Sequence, residues 1–222
     1  MDKKESKKKG LKMKNFTPTT LSKEDKIKKE VGQRNRSFNG LTASEWASLS
    51  KNVWNDVSSP RERKHLEHGA TFPEKLANRL ILMYTKGGDL VLDPFLGVGT
   101  TLEACRNTNR EGVGIELNER FIPFALEVTK QTTLQKPLSL KVVNDDCRNL
   151  LNHVKEESIQ LMVTSPPYAN FIQKSVEDRE NTHKTSLIRI ENNSTVNQYS
   201  NKKEDFGNLE YSDFLKELKE VM

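Results

Sequence analysis

The chain has 222 residues, room for one medium domain with appendages, yet its hydrophobic fraction is 34% and its mean hydropathy −0.75. Those values are low for a compact domain of this size, so part of the chain is expected to lie outside the core. The net charge of +5 fits a nucleic-acid partner without establishing one. No apolar stretch approaches bilayer length, and Cys105 and Cys147 show no paired metal spacing. On these grounds a reduced, cytoplasmic protein is expected rather than a membrane-spanning chain or a disulfide framework.

Residues 1–37 are rich in lysine, as in "MDKKESKKKG", without the apolar segment of a signal peptide. They read as a solvated, disordered tail, able also to add sequence-blind affinity for phosphates. A core is expected over 38–168. Its first helix begins near Thr42 or Ser44, either of which can cap it, with Trp46, Leu49 and Val53 on one side as packing residues. A second helix start is marked by Thr71 as N-cap, Pro73 in the first turn and Glu74, with Gly87-Gly88 as its stop.

Strands and helices then alternate. "DLVLDPF" (89–95), "GVGIEL" (112–117), "LSLKVVNDD" (138–146) and "SIQLMVTSPPY" each contain a strand. Helices follow from Thr100 and from a cap at Asn118, the latter with Pro123 distorting its start. This alternation implies right-handed crossovers and a doubly wound, mainly parallel α/β sheet. Residues 169–208 are polar and read as a mobile loop. Residues 209–222 form an amphipathic helix presenting Tyr211, Phe214, Leu215, Leu218 and Val221.

The first candidate site is "LDPFLGVGTT". Gly97 and Gly99 allow a sharp turn at a strand end and a close ligand approach, and the following helix offers free N–H groups. Glu116 ends the next strand, where a carboxylate can accept from ribose hydroxyls. Asp145 and Asp146 close the third strand, within reach of an adenine amino group. Leu102 replaces the third glycine of the dinucleotide fingerprint, and no lysine follows the turn, so an ATPase phosphate loop is excluded. The residues suit a nucleoside cofactor; an ordinary strand–helix turn with a surface glutamate is the simpler alternative.

The second candidate is "TSPPY" (164–168). Pro166 and Pro167 remove two donors and fix two φ angles, leaving rigid outward carbonyls. Ser165 adds a hydroxyl and Tyr168 a flat face, a set that suits a planar ring bearing an amine. A rigid turn ending a strand would look the same.

Together the two motifs resemble the S-adenosylmethionine-dependent amino-methyltransferases of DNA, the N4-cytosine and N6-adenine family. "DPFLGVGTT" is similar to their glycine motif and "TSPPY" to their catalytic motif. "HGATFPEKL" is similar to a histidine–phenylalanine–proline element preceding the glycine motif in some classes. The resemblance covers about 38–222 and leaves out the lysine-rich start.

It implies a Rossmann-like methyltransferase sheet and S-adenosylmethionine as cofactor, with double-stranded DNA as partner. Phe95, Gly97, Gly99, Thr100 and Thr101 would surround the methionine part, helped by Phe72 and Pro73, and Asp93 would order the turn. Glu116 would bind the ribose and Asp146 the adenine; Asp146 is preferred to Asp145 because "DCR" matches the family's usual pattern after that acid. Ser165, Pro166, Pro167 and Tyr168 would be catalytic, holding a base flipped from the duplex. No metal is required.

Serine before the prolines points to N4 of cytosine as acceptor; N6 of adenine is the alternative, usually served by Asp or Asn there. Carbon-5 methylation needs a Pro-Cys nucleophile that this chain lacks. Protein-glutamine methylation typically has Asn before the prolines, and no aromatic-studded surface points to RNA. A non-catalytic fragment or partner subunit is the remaining alternative of another class. The motif order differs from that common among N4-cytosine enzymes. Family sheets usually have more than the four strands found here, so truncation, or completion by a second polypeptide, is expected. A cognate restriction endonuclease is a candidate partner.

Overall fold

The computed structural model describes residues 39–58, 60, 62–68, 71–130, 138–169 and 200–222. The lysine-rich start and most of the polar segment after Tyr168 lie outside these residues. A short helix α1 (Ala43–Leu49) opens the described chain. Thr42 Oγ1 accepts the Glu45 N–H while the Glu45 carboxylate accepts the Thr42 N–H, a reciprocal cap that satisfies two orphan donors. None of its residues is buried, and Trp46 and Val53 are exposed, contrary to the packing face expected there.

Helices α2 (Arg63–His68) and α3 (Glu74–Tyr84) follow. Pro73, not Thr71, is the N-cap of α3. Its extended φ and missing N–H fit that boundary without a side-chain cap. The helix ends at Tyr84, ahead of the glycine pair, because Thr85 turns extended and its hydroxyl bonds the Ile81 carbonyl.

The sheet contains β1 (Leu90–Asp93), β2 (Glu111–Glu116), β3 (Leu140–Asn144) and β4 (Leu161–Met162). All pairings are parallel in the order β3-β2-β1-β4. Leu92 faces Val113 on one side and Met162 on the other. Helices α4 (Thr100–Thr108) and α5 (Ile122–Lys130) carry the crossovers β1–β2 and β2–β3. After β3 the chain forms a 3-10 turn (Cys147–Asn152) and returns to the opposite side of β1. The strand order reverses beside β1, which opens a crevice at the carboxyl ends of β1 and β4.

Both sheet faces are covered. Val91 packs with Ala77, Ile81, Ala104 and Cys105 of α3 and α4. Its neighbour Leu92 points the other way, into a cluster with Val113, Ile115 and Val143 backed by Leu150 and Ile159. Burying each Leu or Ile is worth about 2 kcal/mol, so these continuous apolar strands hold the site's floor rigid.

Two local expectations are corrected. The helix after β2 starts at Ile122, not at Asn118: the Asn118 side chain accepts from the Arg120 N–H in a turn, and Pro123 falls in the first helical turn, where its missing N–H costs nothing. Residues 200–208, expected in a mobile polar loop, include a 3-10 turn (Phe206–Asn208) whose Phe206 is only 2% exposed. Helix α6 (Tyr211–Val221) then buries Phe214 and Val221 against that turn and Cys147, leaving Tyr211 and Leu215 outward. Among the described residues no helix is long and apolar enough to cross a membrane.

Candidate active site

The end of β1 delivers Asp93, 1% exposed, into a knot of donors. Its Oδ1 accepts the Phe95 N–H at 3.1 Å and the Thr164 hydroxyl at 2.7 Å, and its Oδ2 accepts the Thr101 hydroxyl at 2.5 Å. Burial raises the Asp93 carboxyl above its ordinary range, and these donors oppose the rise. The turn that follows needs glycine twice. Gly97 has φ +58° and Gly99 φ +96°, and a Cβ would stand 2.8 Å from His68 Nε2 and 3.0 Å from the Ala125 backbone respectively. The space the glycines free is thus filled by the protein's own His68 and α5 rather than opened to a ligand.

Glu116, at the end of β2, is 9% exposed. One carboxylate oxygen accepts the Gly97 N–H and the other the Asn118 N–H, each at 2.7 Å. Burial pushes its pKa up to about 7; the two N–H donors pull down, and the charges of Asp93 and Asp205 push up further. At the end of β3 the adjacent aspartates part. Asp145 turns to Asn149 and to His153, whose Nε2 lies 2.6 Å away and holds the carboxyl down at about 2. Asp146 faces the cavity, and its carboxylate caps the 3-10 turn by accepting from the Arg148 N–H and guanidinium.

Arg148 also bonds Glu217 of α6 at 2.5 Å and the Glu204 carbonyl at 3.1 Å, and its guanidinium lies 4.5 Å over the Phe206 ring. Phe206 meets Phe95 edge-to-face at 5.1 Å. Segment 200–209 is thereby fastened to the turns that follow β1 and β3, and it brings the buried Asp205 to the cavity. The cavity is an open cleft. Phe95, Glu116, Asp146 and Asp205 line it together with Ser165, Pro166, Pro167 and Tyr168. Hydrogen-bond acceptors and aromatic rings dominate the wall, a set that fits a nucleoside rich in donors.

A sequence profile of the DNA methylase family (N6_N4_Mtase) matches residues 2–127, more than half of the chain. The chain belongs to this family. The match enters the lysine-rich start that the resemblance left out, includes the glycine turn and stops short of "TSPPY". The chain is 43% identical over 76 residues to type II methyltransferase M.Cfr9I of Citrobacter freundii, covering 34% of the chain and 24% of the relative. It is 42% identical over 88 residues to type II methyltransferase M.BglI of Bacillus subtilis, covering 39% and 24%. The matched stretches thus span about a quarter of these curated relatives. Among solved structures, a Thermus thermophilus protein named as a DNA modification methylase and complexed with S-adenosyl-L-methionine is 31% identical, with a TM-score of 0.39 over 50% of this chain and 42% of that one.

The expected site residues sort into three groups. Phe95, Glu116, Asp146 and Ser165–Tyr168 share the cavity. Asp93, Gly97, Gly99, Thr100 and Thr101 are buried and form no part of its lining. Phe72 and Pro73 line a separate cleft with His65 and Lys75, and Phe72 leans on the core. Sequence reasoning did not assign His68, Phe121, Asp205 or Phe206 to the cavity, yet all four line it. His68 stood in the quoted "HGATFPEKL" and packs 4.5 Å from Phe121. Asp205 and Phe206 sit in a stretch too polar to signal burial. Cys147 is also in the lining, its thiol pushed up to about 12 by burial, so it stays protonated.

Proposed function

We propose that this chain carries the cofactor-binding and catalytic core of a DNA methyltransferase that moves a methyl group from S-adenosylmethionine to the exocyclic N4 of a flipped cytosine. The observation that carries this reading is that Phe95, Glu116 and Asp146 share the lining of one cavity with Ser165, Pro166, Pro167 and Tyr168 of "TSPPY". When bound, the cofactor supplies a methyl group on a sulfonium. Glu116 accepts from ribose hydroxyls, Asp146 from the adenine amino group, and Phe95 borders the methionine part. Gly97, Gly99, Thr100 and Thr101 support this pocket from behind.

Tyr168, 57% exposed, offers its face to the acceptor base. Ser165 and the carbonyl beside Pro166 accept from the exocyclic amine and draw its lone pair out of ring conjugation. The two prolines hold those acceptors in place, so positioning and electrostatics do the catalytic work. The type II methyltransferase names of the relatives support a place in a restriction–modification system acting on double-stranded DNA.

Nucleoside mass spectrometry on DNA from methylation-free cells expressing the chain tests this, beside a Ser165→Ala control. N4-methylcytosine that vanishes in the control is the expected result. N6-methyladenine overturns the acceptor assignment, and absence of any methylated base from soluble, cofactor-binding protein overturns activity of this chain on its own.

A further inference from the structure

Thr164 precedes the proline loop and belongs to none of the three groups of expected site residues. The last ladder bond before the loop runs from the Val163 N–H to the Leu92 carbonyl. Beyond it the chain leaves the sheet, and Pro166 and Pro167 have no N–H with which to rejoin it. At that point the Thr164 hydroxyl donates to Asp93 Oδ1 at 2.7 Å. The same carboxylate accepts from Phe95 and Thr101, the two ends of the glycine turn. It is 1% exposed, so water has little room to replace any of these donors.

We propose that Thr164 is a positioning residue and that the Thr101–Asp93–Thr164 bridge couples the two halves of the site, so that ordering the glycine turn orders the proline loop. β4 contributes only two ladder residues, so backbone pairing alone fixes the loop weakly. The bridge adds a part-buried hydrogen bond to a buried carboxyl group at the loop's first residue. Ser165 is the next residue along, and two prolines with fixed φ then carry that orientation stiffly on to Tyr168. What the two halves hold rests on the proposed function; that they are bridged does not.

The test is hydrogen exchange by mass spectrometry on the full chain, comparing wild type, Thr164→Val and Thr164→Ser, each with and without S-adenosylhomocysteine. Without ligand, Thr164→Val is expected to speed exchange in 94–101 by about tenfold, and Thr164→Ser to restore it. With ligand, wild type gains protection in both 94–101 and 163–169, whereas Thr164→Val gains it only in 94–101. Unchanged ligand-free exchange in Thr164→Val, or ligand protection of 163–169 that survives the substitution, overturns the coupling. Absence of ligand protection anywhere in wild type overturns the cofactor reading instead, while the ligand-free comparison still decides the bridge.

Discussion

The two halves of the cavity are built by opposite means. On the glycine side, every residue from Leu96 to Leu102 is buried, and Glu116, Asp93 and the turn's own N–H groups are tied to one another. On the proline side, Ser165 and Tyr168 are exposed, and stiffness comes from ring closure in the backbone rather than from packing. A pocket for a ligand of constant shape can be preformed at the expense of access. A pocket for a base arriving with a polymer must stay open while its acceptors stay fixed. Rigidity without burial is what consecutive prolines provide.

Breaking the glycine side should therefore cost stability, and breaking the proline side should cost function alone. Asp93→Ala strips three donors of one buried acceptor. We expect a loss on the order of 4 kcal/mol, read as a lower urea midpoint; an unchanged midpoint would mean that the knot carries no load.

Glu116 comes next. Its folded pKa, about 7, lies above its ordinary 4.5, so proton binding favours the folded state. That contribution is fully present below pH 4.5, falls as pH rises and is lost above 7, about 3 kcal/mol in all. Glu116→Gln should flatten this part of the stability profile in calorimetry across that window. Gly99→Ala forces a left-handed φ on a side chain pressed against the α5 backbone, and about 2 kcal/mol should be lost.

On the proline side, Tyr168→Ala should shift the melting curve by less than about 0.5 kcal/mol, because the ring is largely exposed. In a methylation assay it should nonetheless raise the apparent KM for DNA or abolish transfer. A large stability loss there would erase the contrast between the halves.

Much of this was legible in the sequence because it depends on local chemistry. A helix capped at Thr42 or Ser44, the strand runs and the sharp turn at Gly97 and Gly99 follow from residue type and spacing; the structure selects Thr42. So does Glu116, because parallel strands of similar length bring their last residues to the same edge. Asp145 and Asp146 were separable only through the resemblance, since neighbours on a strand end differ by which way the chain turns next. Phe206 and Asp205 were not legible, because their burial depends on Arg148 and Phe95, which stand far away along the chain. Trp46 misled for the converse reason: a helical stripe reports what a helix could bury, not whether a surface is there to receive it.

Asp93 and Thr164 are 71 positions apart, yet they meet through side chains at the carboxyl edge of neighbouring parallel strands. The connecting chain brings them to that edge but takes no part in the contact. The chemistry therefore sets no preferred order in which the two motifs must be spelled: a polypeptide that made the proline motif first and the glycine motif second would close the same bond, provided both strands still entered the sheet side by side. Motif order belongs to the connections between strands; the hydrogen bond belongs to the sheet edge where the strands end.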